Sequence, residues 1–245
     1  MKFFGWCSIP FALLGIGFSV PIIIELAKGV TNKGGDIVIL DAGKTERECV
    51  REAVRIAEAA DYVNLQDVLD GKVPMQPKVY AVMMDKSIAL FHLGTQPLEQ
   101  GMQIVAAHVD SPRLDLKQHP LYEESGMAYM DTHYYGGIKK YQWVTLPLAI
   151  HGVVVRKDGT KLNIVIGEHE DDPVIGVTDL LVHLAGEQLE KAGSKVIEGE
   201  ALDLLVGNQP LKGEEKDAVK ANVLKLLQQK YGIEEDDFIS AELEV

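Results

Sequence analysis

The sequence has 245 residues, 47% of them hydrophobic and 25% charged, with a net charge of −13 at pH 7. These proportions are those of a globular protein and argue against disorder, while the negative charge argues against nucleic acid as a partner. The two cysteines, Cys7 and Cys49, lie far apart, which excludes a disulfide framework and a cysteine zinc site and fits a cytoplasmic protein.

The first forty residues differ in composition from the rest of the chain. An uncharged run extends from Phe3 to Ile24, and at about 1.5 Å per residue it is long enough to cross a bilayer core of roughly 30 Å. Pro10 and Pro21 make this run a poor ideal helix. A membrane anchor within residues 1–27, a signal peptide without a clear cleavage site and a buried leader all stay open. The composition changes near Asp41, which predicts a boundary there.

The segment after this boundary is predicted to contain a helix, a hairpin and a buried strand. Thr45 followed by Glu48 is a capping-box pattern, and apolar residues then recur at helical spacing to Ala60. The runs "KVYAVMM" and "SIALFHL", split by Asp85 and Lys86, predict a β-hairpin. The apolar run "MQIVAA" at residues 102–107 predicts a strand that is buried on both faces.

The remainder of the chain is predicted to be rich in β-structure. Two β-runs flank Lys157–Thr160, where Asp-Gly favours a hairpin turn. A helix is predicted from Thr178, as N-cap, to Gly193, and a second helix in "GEEKDAVKANVLKLLQQKYG", with acidic residues in its first turn. The final residues, "FISAELEV", alternate as a strand, and a chain that stops in a strand looks cut short.

The most informative motif is the His-x-Asp sequence at the end of the predicted strand 102–107. His108 is a candidate metal ligand, and Asp110 lies on the same side of an extended chain, where its carboxylate can orient the imidazole. A hydrogen-bonded histidine at a strand end is the alternative. Ser111 is not a credible nucleophile, because the chain has no Gly-x-Ser-x-Gly turn around it.

Three further segments carry residues that are typical of functional sites. The acidic segment 167–173 is interpreted as a solvated strand end and turn, because consecutive strand residues point to opposite faces. The aromatic segment 132–143 surrounds a Gly-Gly turn, and it favours packed strands or an oligomer interface over base stacking. His183 lies in an apolar helical stretch and, taken alone, is interpreted as a partly buried helix residue.

Three motifs in order, "AAHVDSPRLDLKQHPLYE", "THYYGGIKKYQW" and "IVIGEHEDDP…TDLLVHLA", resemble the M18 family of metallo-aminopeptidases. The resemblance covers residues 41–245 and implies an α/β fold. Part of a zinc-aminopeptidase catalytic domain (41–117) would be followed by a β-rich inserted dimerisation domain (118–245), after a leader (1–40) that does not match. It also implies a homo-oligomer, assembled through residues 118–245, that removes N-terminal residues from peptides with two zinc ions.

By motif position, the resemblance implies that His108 is a metal ligand and that Asp110 is the catalytic acid supporting the metal. It implies that His183 reaches a neighbouring subunit's active site and stabilises the transition state there. The family's bridging aspartate, its Glu-Glu pair, a further acidic ligand and its C-terminal histidine follow the inserted domain, and this sequence ends before them. Two hypotheses follow: a metallo-aminopeptidase chain that is inactive alone, or a non-catalytic oligomerisation fragment, possibly tethered to a membrane through residues 1–27.

Overall fold

The computed structural model describes residues 41–245, and two β-sheets of unequal size organise this part of the chain. The uncharged run from Phe3 to Ile24, with the membrane and signal-peptide hypotheses, lies outside the described residues. Between residues 41 and 245, no helix has both the length and the apolar character needed to cross a membrane.

Helix α1 (Glu46–Ala59) begins at the predicted capping box. The Thr45 hydroxyl accepts a hydrogen bond from the backbone N–H of Glu48, and the Glu48 carboxylate accepts one from the backbone N–H of Thr45. Two backbone donors that a helix start leaves unpaired are thereby satisfied. The predicted helix is confirmed, and it packs on the smaller sheet.

The smaller sheet has three strands in the order β1-β2-β3, and the predicted hairpin forms two of them. Met84 and Asp85 in its turn both have positive φ angles. A small core of Ala57, Tyr62 and Tyr80 joins this sheet to α1. The elements are β1 (Val63–Asn64), parallel to β2, α2 (Leu65–Leu69), β2 (Lys78–Met83) and β3 (Ser87–His92), antiparallel to β2.

The larger sheet has seven antiparallel strands in the order β7-β6-β10-β4-β5-β9-β8. The predicted hairpin between β6 and β7 is confirmed, with Gly159 at a φ of 84° and the Arg156 N–H donating to the Thr160 carbonyl oxygen. The strands are β4 (Arg113–Glu124), β5 (Met127–Tyr135), β6 (Ile150–Val155), β7 (Lys161–Ile166), β8 (Gly176–Val177), β9 (Leu204–Gly207) and β10 (Ala241–Glu244).

Strand β10 confirms the predicted final strand and occupies an interior position in the larger sheet, between β6 and β4. Gly152 of β6 pairs with Leu243 of β10. Gly152 has a φ of 148°, and a Cβ atom there would collide with the carbonyl oxygen of Glu242. Glycine is therefore required for the last strand to enter the sheet at this point.

The predicted C-terminal helix forms as α4 (Ala218–Tyr231) and ends at Gly232 in the left-handed conformation. Its predicted acidic first turn is wrong, because the helix begins after Glu214 and Glu215. Val219 and Leu227 bury one side of α4 in the main core, which lies against the larger sheet. Short 3-10 helices lie at Leu98–Gln100, Lys140–Gln142, Gly199–Ala201 and Glu235–Ser240.

The predicted strand at residues 102–107 is wrong in this structure. These residues form no regular element, and Met102, Ile104 and Val105 are exposed. A strand that is buried on both faces needs neighbouring strands and covering helices. In the described part of the chain, neither sheet offers this segment a partner.

The predicted helix from Thr178 to Gly193 is also wrong. Only the short α3 (Gly186–Leu189) forms, and the apolar residues before it are in turn or irregular conformation. Most helical stability in proteins comes from packing an apolar face. Here that face is solvent-exposed, as the side chains of Leu180, Leu181, Val182 and Leu184 show.

The predicted fold class, a partial α/β unit followed by a β-rich unit, is confirmed by the two sheets and by the order of their elements. Strand β4 begins at Arg113 and spans the predicted boundary between residues 117 and 118. The domain division itself stays a prediction.

Candidate metal centre

His108 and Asp110 lie in the irregular segment 101–112, immediately before β4. The Nδ1 atom of His108 is 2.9 Å from the backbone carbonyl oxygen of Asp110 and 3.2 Å from its Oδ1. A carbonyl oxygen only accepts hydrogen bonds, so in the neutral imidazole this contact requires the proton on Nδ1 and leaves the lone pair on Nε2. The His108 side chain is 83% exposed, which leaves Nε2 accessible to an incoming ion.

The Asp110 carboxylate is held from a second side by the larger sheet. The hydroxyl of Tyr135, the last residue of β5, donates to Oδ2 of Asp110 at 3.0 Å. This hydrogen bond lowers the pKa of Asp110, and the carboxylate in turn raises the pKa of Tyr135. Asp110 is therefore ionised at neutral pH, as an acceptor for the His108 proton must be.

Tyr135 itself packs against Arg113 at the start of β4. The centre of the Arg113 guanidinium lies 4.4 Å from the centroid of the Tyr135 ring. Three carboxylates fix this guanidinium: Asp115 at 2.7 Å, Glu46 at 3.0 Å and Glu244 at 3.3 Å. Side chains from α1, β4 and β10 thus meet at the Arg113 guanidinium, which lies over the Tyr135 ring.

Sequence reasoning found His108 and Asp110 but missed Tyr135 and Arg113 as their neighbours. The aromatic residues of the motif that contains Tyr135 favour packed strands or an oligomer interface and do not point to Asp110. Only the pairing of β5 with β4, in which Arg113 lies opposite Tyr135, brings the phenol to Asp110.

The structure does not bring His183 to this site. It lies in a turn, and among the described residues no hydrogen bond or ion pair joins it to His108 or Asp110. The interpretation of His183 as a partly buried helix residue is wrong, because the side chain is exposed and no helix covers the position.

The acidic segment 167–173 is a strand end and turn, as interpreted from the sequence. Its carboxylates face different partners. Glu168 pairs with Lys44 and His151, whereas Asp172 accepts from two backbone N–H groups of the turn and pairs with Lys230. Between residues 41 and 245, no group of three or more histidine, cysteine, aspartate or glutamate residues is arranged to hold a metal ion.

The chain's relatives identify its family. Residues 39–245 match the model of the family described as aminopeptidase I zinc metalloprotease (M18). The chain therefore belongs to the M18 family of zinc metalloproteases, whose matched members are aminopeptidases, and the resemblance read from the motifs is confirmed.

Two curated relatives are each named "Probable M18 family aminopeptidase 1". The Clostridium acetobutylicum protein is 58% identical over 205 residues, covering 82% of this chain and 44% of the relative. The Thermotoga maritima protein is 48% identical over 206 residues, covering 84% of this chain and 45% of the relative. The chain therefore spans less than half the length of these relatives.

Solved aminopeptidase structures share the fold. The M18 aminopeptidase from Thermotoga maritima superposes with a TM-score of 0.79 at 43% identity, covering 93% of this chain and 48% of that one. Aminopeptidase I from Clostridium acetobutylicum gives a TM-score of 0.74 at 57% identity, covering 86% and 47%. Both sheets described above thus belong to a fold that is known from M18 enzymes.

Proposed function

We propose that this chain forms part of a cytoplasmic zinc aminopeptidase that hydrolyses N-terminal residues from peptides, and that His108 supplies one zinc ligand. The observation that carries the proposal is the placement of His108: its Nδ1 lies 2.9 Å from the backbone carbonyl oxygen of Asp110, and its side chain is 83% exposed. Metal-binding histidines commonly have this arrangement, with the second nitrogen held by a carboxylate or a carbonyl.

The described residues do not fit a complete zinc site. Catalytic zinc takes about three protein ligands, whereas one imidazole and one carboxylate meet here. The remaining ligands, and a second zinc ion, belong in this proposal to the part of the relatives that the chain does not match. When bound, zinc supplies a water of lowered pKa and polarises the peptide carbonyl. We expect this chain alone to be inactive.

The chain's own residues have distinct roles in this proposal. Asp110 orients His108 and keeps its Nε2 free of a proton. His183 acts in the active site of a neighbouring subunit. Its exposed position in the turn before α3 is suitable for this role. Neither role requires the two histidines to meet within one chain.

The first test is zinc content, measured by elemental analysis of the dialysed full chain and of His108→Ala. We expect far less than one zinc per chain in both proteins, and no aminopeptidase turnover with zinc added. Stoichiometric zinc in the parent chain that is lost in the variant would show that the chain holds a complete site.

The second test supplies the half of a relative that the chain does not match. The full chain is co-expressed with the C-terminal half of the Clostridium acetobutylicum relative, and zinc-dependent release of N-terminal residues is assayed. We expect activity from the pair, its loss in His108→Ala and its retention in His119→Ala, an exposed histidine of β4. Equal activity of the two variants would exclude His108 as a ligand.

A homo-oligomer is the second part of the proposal, and the exposed apolar side chains of Leu181, Val182 and Leu184 support it. A patch of this kind on a folded unit is typical of an interaction surface. A yeast neighbour of the same fold, 17% identical, is a dodecamer.

Sedimentation analysis over a range of concentrations is expected to give dimers or larger species, and Leu184→Asp is expected to shift them to monomer. Monomer at all concentrations would contradict the proposal, including its form as a non-catalytic oligomerisation fragment.

A further inference from the structure

Charged side chains join α1 to the larger sheet. The core under α1 contains Ala57, Tyr62 and Tyr80, and the main core runs from Leu114 to Val245, so in the described part of the chain the two cores share no residue. The residues at the start of α1 reach the larger sheet and the turn after β7 through charged groups. These residues are Lys44, Glu46, Arg47 and Glu48. We refer to their contacts as the ionic joint.

His151 lies at the centre of one half of the ionic joint and is 8% exposed. Its Nδ1 is 2.9 Å from Oε1 of Glu48, on α1, and its Nε2 is 3.1 Å from Oε1 of Glu168, in the turn after β7. Lys44 also bonds Glu168, and Arg51 approaches Glu48 at 3.6 Å. Only the imidazolium donates from both ring nitrogens. Loss of its proton therefore leaves one carboxylate facing a ring lone pair.

Arg113 lies in the other half of the ionic joint, where one guanidinium faces three carboxylates. Glu46 on α1 lies 3.0 Å away, Glu244 on β10 lies 3.3 Å away, and Asp115 on its own strand lies 2.7 Å away. Glu46 and Glu244 are buried, so solvent screens their mutual repulsion poorly. A proton on one of them removes this repulsion.

The remaining contacts of the joint are pairs of fixed charge. Arg47 and Lys86 both bond the carboxylate of Glu242, on β10, and Lys86 adds positive charge beside Glu46. In the β2–β3 turn, Asp85 lies 3.5 Å from Lys161 on β7. Lysine and arginine keep their charge between about pH 5 and pH 9. Among the described groups of the joint, the change of charge in this range therefore comes from His151 and Glu244.

These two groups act in the same direction. Hydrogen bonding to Glu48 raises the pKa of His151, and burial beside Glu46 raises the pKa of Glu244 to about 7. A group whose pKa is raised by the closed joint stabilises it at low pH, and this stabilisation is lost as the pH rises through the raised value. The pKa values of Glu48 and Glu168 are lowered, so their contribution is lost only on acidification below the usual 4.5.

We propose that the ionic joint is a pH-dependent contact: it is closed while His151 and Glu244 carry protons, and α1 with the smaller sheet moves away from the larger sheet as a folded unit when both protons are lost. This inference does not depend on the proposed zinc site. The segment between β3 and β4, which contains His108 and Asp110, connects the two sides of the joint. Opening therefore changes the relative position of the two ends of this segment.

Cys49 on α1 is a natural reporter of the joint. It is half-buried, and burial together with the charges of Glu48, Glu46 and Glu244 raises the pKa of its thiol. Because Glu244 belongs to β10, the thiol lies near the contact between α1 and the larger sheet. In the full chain with Cys7→Ser, Cys49 is the only thiol. Its rate of labelling by an aromatic disulfide reagent measures how often the joint opens.

Two buried positions distinguish opening of the joint from unfolding. Val154→Cys probes the core of the larger sheet and Ala57→Cys the core under α1, each in a background of Cys7→Ser and Cys49→Ser; these positions are 0% and 3% exposed. Opening exposes little surface, so we expect labelling of Cys49 to depend weakly on low concentrations of urea. The two buried thiols require unfolding, and we expect their labelling to rise steeply with urea.

Each labelling rate is expressed relative to that of the same chain unfolded in urea at the same pH. Near pH ~6, we expect Cys49 to be labelled about tenfold faster in His151→Gln than in the parent, as for loss of a charge-assisted hydrogen bond. The exposed His119→Gln is the matched control and is expected to behave as the parent. Near pH ~9, where the imidazole is neutral, the parent and His151→Gln are expected to be labelled at similar, faster rates.

Glu244→Gln is expected to have the opposite effect, with Cys49 labelled about fivefold more slowly than in the parent near pH ~9. Neither result can arise from the thiol itself. Removing the positive charge of His151 disfavours the reactive thiolate, and removing the negative charge of Glu244 favours it. Both direct effects oppose the expected changes in rate.

Three results would overturn the inference. The first is the same labelling of Cys49 in His151→Gln and His119→Gln near pH ~6. The second is unchanged or faster labelling in Glu244→Gln near pH ~9. The third is a urea dependence of Cys49 labelling as steep as that of Val154→Cys or Ala57→Cys, because α1 would then be exposed by unfolding and not by movement of a folded unit.

Discussion

The Nδ1 atom of His151 on β6 lies 2.9 Å from Oε1 of Glu48 on α1, although 103 residues separate them in the sequence. The other ring nitrogen lies 3.1 Å from Oε1 of Glu168. A ring with a carboxylate at each nitrogen is stabilised as the imidazolium, in which both nitrogens donate. Since Glu48 also caps α1, one carboxylate joins the helix start to the larger sheet.

His151→Gln is expected to reduce the pH dependence of stability. Hydrogen bonding to Glu48 raises the pKa of His151 above its usual value. The stabilisation is therefore fully present below the unfolded pKa of about 6.5 and is lost as pH rises through the higher folded value. Near pH ~6 we expect a loss of roughly 1–2 kcal/mol in the variant, and a smaller loss near pH ~9.

The measurement is urea unfolding at several pH values, with His119→Gln as control because His119 is an exposed histidine. The assignment of an imidazolium would be contradicted if the loss of unfolding free energy in His151→Gln did not become smaller as the pH rises.

A second pair of residues, Glu46 and Glu244, places two buried carboxyl groups beside Arg113. Burial and the neighbouring Glu46 raise the pKa of Glu244 to about 7, whereas that of Glu46 is lowered. A proton on Glu244 therefore relieves the repulsion between the two carboxylates. Asp115 on β4 and His151 on β6 lie opposite Glu244 in the sheet.

Glu244→Gln is expected to stabilise the chain at alkaline pH. The folded pKa of Glu244 exceeds its unfolded value of 4.5, so its contribution is present below 4.5 and is lost as pH rises to about 7. Glutamine keeps the shape without ionising, and near pH ~8 we expect a gain of roughly 1 kcal/mol.

Thermal unfolding between about pH 4 and pH 8 tests this prediction, with the exposed Glu124→Gln as control. In Glu46→Gln, the pH at which stability falls is expected to be lower than in the parent. The substitution removes the neighbouring charge that raises the pKa of Glu244. Parallel curves for the parent and Glu244→Gln would contradict a raised pKa of Glu244.

Thr45→Ala removes the hydroxyl that caps α1. The loss of a threonine N-cap costs about 1 kcal/mol, within a range of 0.5–2. Thr45 is buried, so we expect the effect at the upper end, measured as the free energy of unfolding in urea. Thr95→Ala, an exposed loop position, is expected to have no measurable effect. Equal stability of the two variants would mean that α1 does not depend on its cap.

Leu114→Ala and Leu180→Ala compare a core leucine with an exposed one. Leu114 on β4 is 0% exposed, and its truncation is expected to cost about 2–5 kcal/mol. Leu180 is 53% exposed, and in dilute monomer its truncation is expected to change stability by less than about 0.5 kcal/mol. A large cost at Leu180 under those conditions would favour the helix that the sequence predicts for residues 178–193.

Elements with local signals were predictable from the sequence. The capping box of α1 and the Asp158-Gly159 turn each specify a backbone conformation through neighbouring residues alone. The two wrong elements, the strand at 102–107 and the helix at 178–193, are apolar runs whose structure depends on a surface to pack against. Such a pattern indicates burial but does not supply the partner.

The candidate site was likewise predictable from the sequence only in part. The sequence by itself determined the His-x-Asp motif and the family, because both depend on residue order. Only the tertiary structure decided that Tyr135 contacts Asp110 and Arg113, and that Glu244 and Glu46 lie together beside Arg113. These contacts join residues on different strands and helices, and strand register, which brings Arg113 opposite Tyr135 and Glu244 opposite Asp115, is a property of the assembled sheet.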